Sequence, residues 1–469
     1  MSNNIKVKIG LEVHAYLNTK EKLFCSCSAN YEDFEPNTNI CPICTGMPGV
    51  KPLLVNEEAL KKSIQVAHIL NCKITNDWVF QRKHYDWPDM PNGYQRTISG
   101  TYTVPIGIEG KFEGIRIIEA HLEEDPAKWD PSTGRVDYNR SGVPLIEIVT
   151  YPDFSNAKEV RNWLDKLLYT LEYLKLIKKG SIKADVNISV NVNGKQGERV
   201  EIKNVNSLKA IEKVINYEIL RQKTLLLQGK EVKRETRAYD EVNNRTIKMR
   251  EKETSEDYRF IPDLDILPIS VSDEFKKKTI EELEEAPLKR IERFQKQYNL
   301  SYDEAYTLCL TKFLADLFEE LVNKNQEIKD LIVKTLKRDL IKALQLLNKN
   351  IDDLEKLNFD KEALVLLMKS FNNKEITNLV FQELIVEVLK GKNKEEIKKL
   401  IEEKKVVSNS DLIEKVVEDV INENPKAVND YKNGEKKALQ FLFGQVMRKL
   451  KGRGDINLIR KLLEEKLDQ

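Results

Sequence analysis

Val7-Lys8-Ile9-Gly10-Leu11-Glu12-Val13-His14 alternates with a period of two: the odd positions are apolar, the even ones polar or glycine. That is the period of a strand with one buried face, so the reading starts from a sheet. The same alternation returns downstream, where Ile182, Ala184, Val186, Ile188 and Val190 interleave with Lys183, Asp185, Asn187 and Ser189. A glycine-bearing turn, Gly194 to Gly197, leads into Arg199-Val200-Glu201-Ile202-Lys203, and the two runs read as a hairpin. Asn156 and Glu159 are placed as a capping box for a helix over about 157–178.

Composition changes near residue 288. Of the 15 prolines, only Pro425 lies beyond Pro287, and all four tryptophans lie in the first part. Beyond 288 the chain is Leu, Lys, Glu and Asn at helical spacing. Ser301 opens a capping box with Glu304, Asn393 and Ser410 read as N-caps, and helices are expected up to Lys449 and over about 455–467. The expected class is α+β: an N-terminal domain on antiparallel sheet with helices over 1–288, a helical domain over 289–400, and a small helical tail over 401–469.

The 469 residues exceed what one compact core holds. With 77 Lys+Arg against 76 Asp+Glu, a uniformly basic nucleic-acid coat is excluded, though a local patch is not. No apolar run approaches a membrane span, and the first residues read as neither a signal nor a transit peptide. A cytoplasmic protein is expected.

Chemistry concentrates in three places. Cys25-Ser26-Cys27 and Cys41-Pro42-Ile43-Cys44 offer two close thiolate pairs, separated by 13 residues, with Gly46 just after. Such pairs suit a structural Zn²⁺, and the alternatives are unliganded cysteines or a redox pair. Glu12 with His14, Asp185 with Asn187, and Glu201 with Lys203 share polar strand faces, while His121-Leu122-Glu123-Glu124-Asp125 sets three acids beside a histidine. These are hard ligands for Mg²⁺ or Mn²⁺, or else solvated surface acids. Arg82-Lys83-His84-Tyr85 precedes a proline-pinned aromatic loop, Trp87 to Tyr94, that either stacks a base or packs the core. Neither common phosphate-loop motif is present in the sequence.

Together these segments resemble the B subunit of the tRNA-dependent amidotransferase GatCAB. The resemblance runs in order through Lys8–His14, Leu23–Cys27, Cys41–Cys44, Arg82–Tyr85, His121–Asp125, Asp137–Ile148, Val200–Asn204, Glu235–Arg237, Met249–Glu253, Asp257–Arg259, Asn424–Val428 and Gly444–Met447. It implies a carbon–nitrogen ligase that uses glutamine as amido donor. The B subunit phosphorylates, with ATP and Mg²⁺, the side-chain carboxylate of Asp or Glu wrongly attached to tRNA(Asn) or tRNA(Gln). Ammonia released by an amidase, the A subunit, then displaces phosphate, and a small C subunit makes the assembly a heterotrimer. By similarity Glu12, His14, Glu123, Glu124, Asp185 and Glu201 are the catalytic residues. All of these but Asp185 are expected to hold magnesium, with Asp185 beside them. Arg82, Lys83, Tyr85 and Lys203 are expected to bind ATP or substrate.

The resemblance also points to tRNA, not DNA, as the nucleic acid. Residues 431–469 hold 10 Lys+Arg against 5 Asp+Glu, densest at Arg448, Lys449, Lys451 and Arg453, a candidate tRNA contact or a solvated face. Phe260-Ile261-Pro262-Asp263-Leu264-Asp265 departs from the family pattern, so no role passes to Ile261 or Leu264. Two other readings remain. The homologous E subunit has a large insertion, for which Asp257–Glu282 leaves no room before the helices. A zinc-containing tRNA adaptor would not need the acidic residues.

Overall fold

A computed structural model describes residues 4–250, 258–407 and 410–468. The chain forms two compact units, Met1–Ala286 and Pro287–Gln469. In the first, the opening alternation becomes strand β1 (Ile5–Leu17), followed by helix α1 (Glu57–Ile69). Strands β2 (Gln81–His84), β3 (Tyr94–Thr97), β4 (Gly107–Phe112), β5 (Ile115–Glu124) and β6 (Pro144–Thr150) come next. Helix α2 (Ala157–Tyr173) precedes the long β7 (Ile177–Val192) and β8 (Val200–Val205). Helix α3 (Leu208–Leu227) leads to β9 (Glu235–Asp240) and β10 (Arg245–Arg250).

Among the described residues the strands join in a thirteen-stranded sheet whose central order is β10-β9-β8-β7-β1-β6-β5-β3-β2. Neighbours pair antiparallel except β8 and β9, which are parallel because α3 carries the chain across between them. The sheet is therefore mixed, and the expected antiparallel pairing holds everywhere among the described strands but at this one pair. The expected hairpin forms between β7 and β8, with Asn187 opposite Glu201. Ile9, Leu11 and Val13 of β1 are buried, and α1, α2 and α3 pack on the sheet.

Helix α2 begins where expected, with the Asn156 side chain accepting from the Glu159 amide, but it stops at Tyr173. Lys175 adopts a left-handed φ of 54°, and the chain is already strand by Ile177. Between Phe260 and Glu282 two short strands, Ile261–Pro262 and Ile269–Ser270, precede helix Asp273–Glu281. Asp257 and Glu251-Lys252-Glu253 of the resembling segments lie outside the described residues.

The second unit is helical. Ser301 and Asn393 close capping boxes with Glu304 and Glu396. Ser410 is the first helical residue and not the cap. Helices Ser410–Glu423, Lys436–Lys449 and Ile456–Leu467 share a core of Ile413, Val417, Leu442, Val446, Ile459 and Leu463. Among the described residues no helix is long and apolar enough to cross a membrane.

Candidate active site and four-cysteine centre

Register assembles the site. Across the central strands, His121 on β5 stands opposite Glu147 on β6, which stands opposite His14 on β1. Glu12 stands opposite Asp185 on β7, Asn187 opposite Glu201 on β8, and Glu201 opposite Thr236 on β9. Residues directly opposite share a face, and so do residues two apart. One continuous row of acids and imidazoles therefore crosses five strands and ends against Thr236 on a sixth. It is not a solvated face: His121, Glu123, Asp185 and Glu201 are all at most 5% exposed.

Burying this much charge demands pairing. Glu147 Oε2 lies 3.1 Å from His121 Nε2 and 3.4 Å from His14 Nε2. Glu123 Oε1 lies 3.3 Å from His121 Nε2, and Glu119 3.0 Å from its Nδ1. Burial opposes charge on both imidazoles. Glu147 and its neighbours outweigh it, pushing His14 up to about 9 and His121 well above the usual histidine range. Burial likewise opposes ionisation of Glu147, but His14 and His121 hold it well below the carboxylate range.

The other half of the row carries excess negative charge. Glu12 accepts from Asn187 Nδ2 at 3.0 Å, and its carboxyl is pushed up by burial and by Glu147, Asp185 and Glu201. Lys203 lies 2.9 Å from Asp185 and 3.6 Å from Glu201, whose other oxygen accepts from Thr236. Two oxygen-rich clusters result, His14–Glu123–Glu147 and Glu12–Asp185–Glu201, each with ligand atoms within 4.8 Å of one another. Asn187 Oδ1 is buried without a partner on the same face. An orphaned oxygen beside mutually repelling carboxylates fits a hard divalent cation.

A cavity of about 260 Å³ opens on this row, lined by Glu12, His14, Lys83, Tyr85, Glu123 and Lys203 among others. The Lys83 ammonium lies 4.7 Å from the Tyr258 ring centre and 5.3 Å from that of Tyr85. Burial works against its charge, but Tyr85, Glu123 and Glu147 raise it well above the usual lysine range.

Two expected site residues do not join the row. Strand alternation sends Glu124 to the other face of β5, where its carboxylate lies 3.4 Å from Arg96 and accepts from the Arg96 amide. Arg82 is likewise turned away from Lys83. It pairs with Asp263 at 3.0 Å and Asp265 at 2.8 Å, so its charge is already matched within the chain. Glu124 is thus no ligand of the clusters, and Arg82 no open phosphate contact.

Sequence reasoning missed Glu147, the hub of the row, and the structural role of Asp263, which also pairs with Arg96 at 2.8 Å. Glu147 did leave a signal: it is the lone acid in the apolar run Val143-Pro144-Leu145-Ile146-Glu147-Ile148-Val149. Also missed was the cavity's second cationic edge. There Lys183 donates to the Tyr16 hydroxyl at 3.0 Å, while Tyr16 and Arg140 both engage Asp125.

Cys25, Cys27, Cys41 and Cys44 converge, with all four Sγ atoms within 4.8 Å of one another. A tetrahedral tetrathiolate with Zn–S near 2.3 Å requires sulfurs roughly 3.8 Å apart. Cys41 and Cys44 stand at 3.8 Å, so the donor set fits zinc. Gly46 has φ of 65°, and a Cβ there would meet Pro91 O at 2.6 Å, which explains the glycine after the second pair.

In the tail, Arg448, Lys449 and Lys451 are exposed, and Lys449 pairs with Glu423 at 2.6 Å. Arg453 differs: its guanidinium donates to the Glu403 carbonyl at 2.7 Å, beside the Val407–Gly454 bridge.

Comparison with known proteins bears on this arrangement. Residues 7–277 match the GatB/GatE catalytic domain, and residues 316–467 match the GatB domain. The B subunit of the aspartyl/glutamyl-tRNA(Asn/Gln) amidotransferase of Methanocaldococcus jannaschii is 46% identical, with 99% of each chain covered. The proteins of the same name from Methanopyrus kandleri and Methanococcus maripaludis are 44% and 42% identical, with at least 98% of each chain covered. The sheet with its charged row lies within the first matched region and the tail helices within the second, and the chain belongs to the GatB family of aminoacyl-tRNA amidotransferase B subunits.

Proposed function

We propose that this chain activates, at the expense of ATP, the side-chain carboxylate of Asp or Glu misattached to tRNA(Asn) or tRNA(Gln), so that ammonia converts it to the amide. The observation that carries this reading is the buried row of two acidic clusters flanked by Lys83 and Lys203, in a chain that matches B subunits end to end.

A carboxylate resists amidation because its oxygen is a poor leaving group. In the proposed reaction a carboxylate oxygen attacks the γ-phosphorus and the bond to ADP breaks. Ammonia then adds to the acyl phosphate, and phosphate leaves. Both steps pass through charge on phosphoryl oxygens, so pre-organised cations lower the barrier more than any acid or base does. Mg²⁺ held by Glu12, Asp185 and Glu201, or by His14, Glu123 and Glu147, would neutralise polyphosphate charge. Lys83 is held against the cavity by aromatic faces, with no one-to-one carboxylate pair among the described residues, so it suits the transferred phosphoryl group or the substrate carboxylate. Lys203 tethers Asp185 and Glu201 in place. His14 is held by Glu147 and serves orientation in preference to proton transfer.

Glutamine hydrolysis falls to a partner amidase, the A subunit, together with a small C subunit, since the sequence has no glycine/serine-rich amidase segment. The tail, 401–469, is assigned to tRNA backbone contact through Arg448, Lys449 and Lys451, and the four cysteines to structural zinc. The E-type reading is disfavoured because B subunits align over 99% of both chains.

The test uses the chain co-purified with its partner subunits, ATP, Mg²⁺, glutamine and either Asp-tRNA(Asn) or Glu-tRNA(Gln). The expected product released from the tRNA is Asn or Gln, formed only with ATP. Charged tRNA bound without amide formation would instead make the chain an adaptor.

A further inference from the structure

Lys22 is 1% exposed, and its ammonium sits against the four-cysteine centre. An ammonium has three N–H donors and no acceptor. Around Lys22 Nζ stand three acceptors: Asn39 O at 3.2 Å, Cys44 Sγ at 3.4 Å and Tyr138 O at 3.4 Å. Two are neutral carbonyls, and among the described residues no carboxylate pairs with this lysine. A buried charge without a countercharge is strongly unfavourable, even after relaxation. The one contact among the three that is not a neutral carbonyl is the Cys44 sulfur, a member of the four-cysteine centre.

The centre has the reciprocal need. Four thiolates around a divalent cation leave a net charge of about −2, inside a chain segment where Cys25 and Cys44 are both buried. We propose that Lys22 is the built-in countercharge of this centre. It sets a positive charge against the Cys44 sulfur, damps that sulfur's nucleophilicity, and ties the centre to the segment around Tyr138. That segment leads to Arg140, which pairs with Asp125 at 3.0 Å on the wall of the 260 Å³ cavity. Lys22 is a positioning residue, acting through Cys44 and Tyr138 without reaching the cavity. The inference rests on the zinc reading of the cysteines and not on the amidation chemistry.

The test is Lys22→Met in the full chain, which removes the charge and keeps the bulk. Wild type should retain one zinc per chain by elemental analysis; a wild type without metal overturns the proposal together with the zinc reading, leaving the amidation reading untouched. With cobalt in place of zinc, Lys22→Met should move the thiolate-to-cobalt charge-transfer band to lower energy, because the sulfur loses a positive neighbour. Zinc should pass to a chelator at least about tenfold faster, in line with the effect of removing groups that support metal ligands. Alkylation at Cys44, mapped by mass spectrometry, should accelerate more than at Cys41. A purely structural lysine would lower the melting temperature and leave the band and the Cys44-to-Cys41 ratio unmoved, and that result overturns the proposal. Lys22→Gln, which keeps a donor but no charge, gives the same readings where Lys22→Met aggregates.

Discussion

The row on the sheet and the basic stretch of the tail use the same kinds of residue under opposite physics. On the sheet, register fixes each charge opposite another, and burial makes the pairing obligatory: Glu147 serves two imidazoles, and Lys203 two carboxylates. In the tail, Arg448 and Lys451 stand in solvent, where an added or removed charge is screened within about 10 Å at ordinary salt. The sheet thus converts charge into geometry, whereas the tail leaves charge exposed to solvent. Mutations in the two places should differ in kind: stability and chemistry move on the sheet, encounter with a polyanion in the tail.

The largest effect is expected at Glu147. Glu147→Gln leaves His14 and His121 without their shared anion in a buried site. Breaking a buried pair costs about 3–5 kcal/mol, and calorimetry of the metal-free chain should show a loss of that size. Amide formation should vanish as well.

Next is Asp263, the anion shared by Arg82 and Arg96 on the opposite face. Burial opposes its ionisation, but Arg82 and Arg96 hold its carboxyl below the usual range. A depressed folded-state pKa contributes stability that is complete above the unfolded value, near 4, and lost as pH falls through the folded one. Denaturant unfolding between pH 6 and 2, roughly, should therefore lose less stability with pH in Asp263→Asn than in wild type. The variant should start lower at neutral pH, where, among the described residues, Arg82 keeps only Asp265 as a carboxylate partner and the buried Arg96 only Glu124. Parallel pH curves would remove Asp263 from the account.

Glu12 sharpens the contrast because its sign is reversed. Its carboxyl is pushed up by burial and by like charges, so ionised Glu12 strains the metal-free fold. Glu12→Gln should stabilise that fold, since the amide keeps the shape and removes the like-charge repulsion, while abolishing amide formation and sparing tRNA binding. Destabilisation together with full activity would mean that the row is structural and the chemistry lies elsewhere.

How much of this was legible follows from where the information resides. The alternation of residues 7–14 and 182–203 gave the strands, their polar face and the hairpin, because a period of two is local. Glu12, His14, Asp185 and Glu201 were identified on those strands, and Cys25 to Cys44 by spacing. The error over Glu124 is instructive. Glu123 and Glu124 are chemically alike and adjacent, yet adjacency on a strand guarantees opposite faces, so at most one could join the row. The helix expected to reach 178 failed at a residue with left-handed φ, Lys175, which carries no glycine signal. The parallel β8–β9 pairing and the Asp263 network depend on contacts across 35 and about 170 residues, which no window of sequence reveals.

The smallest stability effect, and the sharpest test of the comparison, lies in the tail. Arg448→Glu with Lys451→Glu replaces two exposed cations, and surface changes of this kind stay within about 0.5 kcal/mol. If these residues meet tRNA phosphates, the apparent KM for charged tRNA should rise, and the slope of log affinity against log salt should fall by about 2, one unit for each lost phosphate contact. Arg453 is the internal control. It belongs to the same basic cluster in sequence, but its guanidinium holds the Glu403 carbonyl. Arg453→Gln should therefore lower stability by about 1 kcal/mol, the worth of a typical to charged hydrogen bond, and shift the salt slope by less than either exposed cation does. A salt slope shifted as much per lost cation in Arg453→Gln as in the double reversal would erase the distinction between charge used for geometry and charge kept for a partner. An unchanged KM for the double reversal at physiological salt would take the tail out of tRNA binding altogether.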